Sequence, residues 1–148
     1  MGTAGALGLI SHKFDNPFFV INGDILTTIK YDEFMAFHIQ SLATATMCVK
    51  KMDYQIPYAC INLDNDSNIL GLVEKPVYNY IINAGLYILN PEVINHIPIN
   101  EYYDMTSLFE TLIEQDKKVV AFCHEDYWLD IGHKADYQKA NSDLNITK

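Results

Sequence analysis

Arginine is absent from this 148-residue chain, and basic residues are few. The ten basic residues are all lysines, and 19 carboxylates outnumber them, so that the formal net charge is -9 at pH 7. This balance repels nucleic acid and anionic membrane surfaces at long range. We therefore expect no polynucleotide partner. A small phosphate ligand would need a metal ion, a local lysine or backbone N–H groups to meet its charge.

Cysteine is scarce as well, and long hydrophobic runs are missing. Cys48, Cys60 and Cys123 lie in apolar, strand-like segments without the spacing of a zinc site. No apolar stretch approaches the roughly 20 residues that span a bilayer, and no basic segment followed by an apolar run opens the chain. We expect a soluble, cytoplasmic protein with no membrane partner. The 49% hydrophobic content predicts one domain, residues 1–148, with a single core region.

Strand-like and helix-like segments alternate along the chain. Apolar runs predict strands at 18–21, 45–49, 58–63, 69–73, 80–89 and 118–123, with a hairpin between the third and the fourth. Helical spacing or helix-start signals predict helices ending near 12 and over 31–42, 91–97, 106–115 and 134–144, and residues 128–132 are predicted to form a loop. The alternation predicts an open α/β sheet with helices on its faces.

Three carboxylates follow predicted strands. Asp24, Glu74 and Asp130 all lie at or just beyond strand ends, where ligand sites of such sheets collect. Asp24 and Asp130 are candidates to hold a divalent cation that bridges phosphate oxygens and neutralises charge during phosphoryl or nucleotidyl transfer. Each of the two also fits an ordinary turn, because Asn-Gly-Asp and Asp-x-Gly are common turn sequences.

A Glu-Lys-Pro sequence follows the predicted hairpin. Lys75, fixed by Pro76, can present its ammonium group to a phosphate, and Glu74 can accept hydrogen bonds from sugar hydroxyls. A simpler interpretation is that Glu74 and Lys75 are ordinary solvent-exposed surface residues.

Asn83 and Gly85 interrupt an apolar strand, and Trp128 is the only tryptophan. An amide and a missing side chain suit close approach of a sugar, but the same two residues also fit a β-bulge. Trp128 can form the wall of a sugar pocket or simply pack against the core. The residues taken singly therefore indicate an α/β ligand-binding domain without selecting one reaction.

Five motifs in order carry a resemblance to a known family. They are Gly2-Thr3-Ala4-Gly5-Ala6, Phe19-Val20-Ile21-Asn22-Gly23-Asp24, Val73-Glu74-Lys75-Pro76, Ile82-Asn83-Ala84-Gly85-Leu86-Tyr87 and Trp128-Leu129-Asp130-Ile131-Gly132. The chain resembles the sugar-1-phosphate nucleotidyltransferases, in the branch of mannose-1-phosphate guanylyltransferases and glucose-1-phosphate thymidylyltransferases. The resemblance implies a Rossmann-like, GT-A-type fold with a mixed, mainly parallel sheet flanked by helices.

The resemblance also implies roles for individual residues. Gly2, Thr3, Ala4 and Gly5 would lie against the nucleotide base, and Asp24 and Asp130 would hold the catalytic Mg²⁺. The residues expected on the sugar-phosphate side are Glu74, Lys75, Asn83, Gly85 and Trp128, with Lys75 also counted as catalytic. The expected substrates are an NTP and a sugar 1-phosphate, whose oxygen attacks the NTP α-phosphorus without a covalent enzyme intermediate. Positioning and charge neutralisation would supply most of the catalysis.

The sequence departs from the family pattern at its front. The family opens with a strand, an arginine-containing Gly-rich loop and a Lys-Pro pair that grip the triphosphate; this sequence begins after that segment and contains no arginine. We therefore expect an N-terminally truncated domain that is inactive alone and exposes an apolar edge or face, which favours a homo-oligomer. The alternative is a catalytically silent subunit that binds sugar nucleotides or regulates a partner. Tyr58-Ala59 replaces the usual Tyr-Gly, and the base and the sugar are left open.

Overall fold

The computed structural model describes residues 2–10, 14–132 and 142. The helices are α1 (Gly2–Gly5), α2 (Tyr31–Gln40) and α3 (Met105–Glu114), with 3-10 helices at Ala6–Leu9 and Pro91–His96. The strands are β1 (Phe18–Ile21), β2 (Ile25–Thr27), β3 (Ala45–Gln55), β4 (Cys60–Leu63), β5 (Ile69–Val73), β6 (Val77–Leu89), β7 (Val119–Cys123) and β8 (Trp128–Asp130).

The central sheet has four strands in the order β1-β6-β3-β7. Strand β6 is antiparallel to β1 and to β3, whereas β3 and β7 are parallel. Strands β1, β3 and β7 therefore run in one direction and β6 runs against them. The predicted mixed α/β sheet is confirmed, and most of its strands share a direction. Because β6 inserts between β1 and β3, however, parallel hydrogen-bonding is confined to the β3–β7 pair.

Helices cover both faces of this sheet. Along β6, Tyr87 and Leu89 pack into one hydrophobic cluster with α3, while Leu86 and Ile88 pack into another with Phe34 of α2. This alternation follows from the two-residue period of a strand, whose successive side chains point to opposite faces. Within the described residues, no helix has the length and apolar character needed to cross a membrane.

Several predicted boundaries differ from the observed ones. Helix α2 ends at Gln40 because Leu42 adopts φ 50, outside helical geometry, which leaves Leu42 82% exposed rather than on the buried face. The prediction of a loop at 128–132 is wrong in its first part, since Trp128–Asp130 forms β8 by pairing with β2. The predicted helix at 134–144 lies outside the described residues, apart from position 142.

Strands β3 and β6 are longer than predicted. Their outer halves, Lys50–Gln55 paired with Val77–Ile82, extend beyond the four-stranded part of the sheet as a two-stranded ribbon. We call this segment the ribbon. The predicted hairpin is confirmed as the antiparallel β4–β5 pair, which joins the two strands of the ribbon along the chain.

Candidate functional site

The short β2–β8 pair brings two distant carboxylates together. Strand β2 begins one residue after Asp24 and pairs with β8 so that Ile25 lies opposite Asp130. The chain is locked further by a hydrogen bond of 2.8 Å from the Ile131 backbone N–H to the Asp24 backbone oxygen. Two residues from opposite ends of the sequence therefore share one end of a three-residue ladder.

Both carboxylates approach Gly132. A Cβ atom at Gly132 would lie 3.0 Å from Asp130 Oδ1 and 3.7 Å from Asp24 Oδ2, so both oxygens border one small volume that the glycine leaves free. The Gly132 backbone N–H donates to Asp130 Oδ1 at 2.8 Å, which orients that carboxylate. Asp24 and Asp130 are exposed, and neither belongs to an ion pair formed among the described residues. Two carboxylates thus lie near each other at the surface, and among the described residues no cation pairs with them.

A β-bulge in β6 lies next to this pair. The register of β3 with β6 shifts between the Val49–Asn83 and Met47–Tyr87 pairs, where Ala84, Gly85 and Leu86 lie opposite Cys48 alone, and Gly85 has φ +74. The Asn83 side chain accepts from the Gly85 N–H at 2.9 Å and donates to the Tyr87 hydroxyl at 2.8 Å. The sequence allowed either a β-bulge or a sugar contact at Asn83 and Gly85, and the structure shows that the bulge is present. A role in sugar binding stays a prediction.

The bulge supports the strand that precedes Asp24. The Asn22 N–H donates to the Gly85 oxygen at 2.9 Å, and a Cβ at Gly85 would lie 2.9 Å from Asn22 Nδ2 and 3.2 Å from Ile25 Cγ1. A residue with a side chain would have to displace the side chains of Asn22 and Ile25, which flank Asp24. Sequence reasoning gave Asn22 and Gly132 no role, although both stand within the motifs that carry the two carboxylates.

Trp128 fastens β8 to the same bulge. Its indole Nε1 donates to the Ala84 oxygen at 2.8 Å, and its ring is partly buried against the hydrophobic cluster that contains Phe34 and Ile88. These contacts are those of packing and anchoring. Since Trp128 is two residues from Asp130 in a three-residue strand, its anchoring also fixes the position of Asp130.

The Gly2–Gly5 segment packs against the start of α3. The N–H groups of Ala4 and Gly5 both donate to the Tyr103 oxygen, at 3.0 and 2.9 Å. Thr3 Oγ1 accepts from the Met105 N–H at 2.9 Å and so satisfies one of the unpaired donors of the α3 N-terminus. These backbone N–H groups therefore form hydrogen bonds within the protein. Contact with a nucleotide base stays a prediction.

Glu74 and Lys75 lie in the exposed turn between β5 and β6, at the far end of the ribbon. Lys75 has φ 45, an uncommon conformation for a residue with a side chain, and its carbonyl accepts a hydrogen bond from Gln55 Nε2. The paired stretch of β6 from Val77 to Asn83 spans about 20 Å at the usual rise of a strand. The structure therefore does not bring this pair into contact with the Asp24–Asp130 pair, and the predicted sugar-phosphate contact stays a prediction.

Two surface cavities lie elsewhere. One of about 310 Å³ is lined by Pro17, His38, Ile39, Leu42, Ala43, Thr44 and Asn90, and another of about 280 Å³ by Ile29, Lys30, Glu33, Phe122, Cys123, His124, Glu125 and Asp126. Neither lining includes Asp24 or Asp130. We place the candidate site at the carboxylates because charge and donor type, rather than concavity, decide where a cation and phosphates bind.

Comparison with known proteins gives the family. The sequence model described as nucleotidyl transferase matches residues 1–146. The chain is 39% identical over 144 residues to a mannose-1-phosphate guanyltransferase of Candida albicans, and 35% identical over 144 residues to one of Schizosaccharomyces pombe. These matches cover 93% of this chain but only 40% and 39% of the two relatives. The chain thus spans about two fifths of the length of these curated relatives.

Solved structures support the same assignment. HddC from Yersinia pseudotuberculosis is 27% identical with a TM-score of 0.64, covering 97% of this chain and 62% of that one, and it has also been crystallised with GMP-PN. A putative glucose-1-phosphate thymidylyltransferase from Bacillus anthracis shares the fold, with a TM-score of 0.69 at 20% identity, covering 95% of this chain and 60% of that one. By its sequence over nearly its whole length, the chain belongs to the nucleotidyl transferase family.

Proposed function

We propose that the intact protein transfers a nucleotidyl group from an NTP to a sugar 1-phosphate, giving an NDP-sugar and pyrophosphate, and that residues 1–148 alone are inactive. The observation that carries the proposal is the convergence of Asp24 and Asp130 beside Gly132, in a chain of the nucleotidyl transferase family. The names of the relatives point to GTP and mannose 1-phosphate as substrates, since those at 35% to 39% identity are mannose-1-phosphate guanyltransferases. The reaction forms a bond from the sugar phosphate oxygen to the α-phosphorus and breaks the bond to the β-phosphate, which leaves as pyrophosphate.

The donor set at the carboxylate pair fits Mg²⁺. This ion keeps several waters and takes one or two protein carboxylates together with substrate phosphates, so two carboxylates and an open side toward solvent suffice. Asp24 and Asp130 would hold Mg²⁺, which when bound neutralises charge on the phosphates and polarises the α-phosphoryl group. Two bare carboxylates would otherwise repel a triphosphate, because among the described residues no lysine pairs with either.

The bulge in β6 would serve the sugar side. Gly85 brings bare backbone close to Asn22 and therefore close to the segment that ends in Asp24. The Asn83 amide uses its oxygen and its nitrogen once each within the bulge. An amide oxygen can accept twice and an amide nitrogen can donate twice, so each retains one hydrogen bond for a sugar hydroxyl. Trp128 would act here by holding the bulge and β8 together rather than by contacting the substrate.

The experiment is a pyrophosphate-release assay with GTP and mannose 1-phosphate on the Asp24→Asn and Asp130→Asn variants of the intact protein. Each change removes one of two charges from the ion site, and we expect turnover to fall by about 100-fold or more. Asp66→Asn is the matched control, because Asp66 is an exposed carboxylate in the β4–β5 turn and should leave turnover unchanged. Mn²⁺ binding followed by paramagnetic resonance should weaken in the first two variants only.

Three results bear on the proposal in different ways. Unchanged turnover and Mn²⁺ affinity in either carboxylate variant would refute the metal assignment. Tight binding of Mg²⁺ and GDP-mannose by the intact protein without any release of pyrophosphate would refute catalysis and assign the silent, sugar-nucleotide-binding role. Lys75→Ala is expected to raise KM for the sugar phosphate, and an effect confined to the NTP would show that Lys75 serves the other substrate.

A further inference from the structure

The ribbon leaves one edge of β3 open. Beyond Val49, where the pairing with β7 ends, no strand among the described residues pairs with the side of Lys50–Gln55 that faces away from β6. An unpaired edge is a row of N–H and C=O groups to which another strand can hydrogen-bond. The ribbon is thus a template for one additional strand.

The ribbon also exposes an apolar face. Met52 pairs with Tyr80 and Tyr54 with Tyr78, so these four side chains lie on the same face. Met52 is 43% exposed, Tyr54 60%, Tyr78 42% and Tyr80 52%. A two-stranded ribbon with side chains this exposed is only marginally stable in water. Additional strands would widen the sheet and remove more of these apolar side chains from water.

We propose that a second copy of this chain adds to this edge, with Lys50–Tyr54 of the two copies antiparallel about a two-fold axis at Met52. In that register, Lys51 of each copy lies opposite Asp53 of the other, and Met52 lies opposite Met52. Symmetry makes the ion pair occur twice, as in any interface in which the same patch serves both subunits. The two ribbons together form a four-stranded antiparallel sheet.

Charge selects both the edge and the register. An axis at Asp53 would place the two Asp53 carboxylates opposite each other, and an axis at Lys51 would do the same with the two Lys51 ammonium groups. With the axis at Met52, each Lys51 instead lies opposite an Asp53, so both contacts are attractive. The open edge of β6 over Val77–Ile82 carries no charged residue and so offers no comparable selection. Because each copy has a formal net charge of -9, association needs such a local match to oppose the general repulsion.

The test is a charge exchange, measured by sedimentation velocity over a concentration series of the protein. Asp53→Lys alone, or Lys51→Asp alone, converts two attractive pairs into two repulsive ones, and we expect each to raise the dimer dissociation constant by about tenfold or more. The double variant Lys51→Asp with Asp53→Lys recreates both pairs with exchanged signs and should restore dimerisation. Lys117→Glu, beyond α3, is the control and should leave the dimer unchanged.

A covalent probe checks the register independently. Met52→Cys should form a disulfide between copies under mild oxidation, beyond the background of the parent protein, while Gln55→Cys, away from the axis, should not. A protein that stays monomeric at every concentration would overturn the proposal. So would a dimer that neither charge reversal weakens, because a different surface would then join the copies, and so would a double variant that fails to recover.

Discussion

Gly85→Ala tests how the bulge supports the carboxylate pair. The new methyl group would stand 2.9 Å from Asn22 Nδ2 and 3.2 Å from Ile25 Cγ1 in the present structure, so the side chains of Asn22 and Ile25 must shift. Alanine at φ +74 adds about 1 kcal/mol of backbone strain, and overpacking of a buried site costs about 1–3 kcal/mol. We therefore expect a loss of about 2–4 kcal/mol in the free energy of unfolding.

Urea denaturation measures this loss, and Gly71→Ala is the matched control. Gly71 lies within β5 without a positive φ, and a methyl group added there would meet no atom within 4 Å, so alanine should change stability by less than about 0.5 kcal/mol. Since Asn22 and Ile25 flank Asp24, the folded Gly85→Ala protein should also bind Mn²⁺ more weakly than wild type. Equal stability of Gly85→Ala and wild type would refute the close packing inferred at the bulge.

Three further perturbations address other contacts. Trp128→Phe keeps the ring but loses the indole donor, so we expect a loss of about 1 kcal/mol in urea unfolding and, because β8 is less firmly placed, weaker Mn²⁺ binding at Asp130. Thr3→Ala removes the acceptor at the Met105 N–H and should cost about 1 kcal/mol in thermal unfolding, while Thr3→Ser should cost little. Burial raises the pKa of Cys48 from its ordinary 9.0 to about 12, so the folded protein keeps a proton that the unfolded chain loses. The stability advantage of wild type over Cys48→Ala should therefore fall by about 1.4 kcal/mol per pH unit between these two values, and a pH-independent difference would contradict it.

Local signals predicted strand β1 and the β4–β5 hairpin. Strand β1 was predicted at its observed bounds because four apolar residues follow Pro17 without interruption. The β4–β5 hairpin followed from turn formers, and the structure shows why they suffice: Asp64 Oδ1 accepts from the N–H groups of Asp66 and Asn68. Such turns are specified by neighbouring residues alone.

Features that depend on distant partners were not predictable. The outer half of β3 has five exposed residues in a row, and without a buried face a strand has no two-residue pattern to read. Strand β8 exists because β2 lies beside it, and the insertion of β6 between β1 and β3 is likewise a matter of pairing over long sequence distances. The role of Thr3 as a cap for α3 joins two residues that lie 102 positions apart in the sequence.

The candidate site divides in the same way. Asp24 and Asp130 were singled out by type and by motif order, but spacing alone left both as turn residues. Their meeting at Gly132 depends on the β2–β8 register, which the sequence does not display. The polar Asn83 and the Gly85 within the apolar β6 did indicate an irregular backbone at this point. The β-bulge accounts for both residues without a ligand.

The ladder between β2 and β8 ties the site to the order in which the chain is made. Asp24 leaves the ribosome many residues before Asp130, and at about 5–20 residues per second the first carboxylate waits several seconds for the second. Strand β2 cannot pair with β8 until then, so the contact that brings the two carboxylates together is among the last to form. A nascent chain that stops before Trp128 would retain every strand of the central sheet but lack Asp130, so on the proposed assignment ion binding would report that the chain has been made beyond β8.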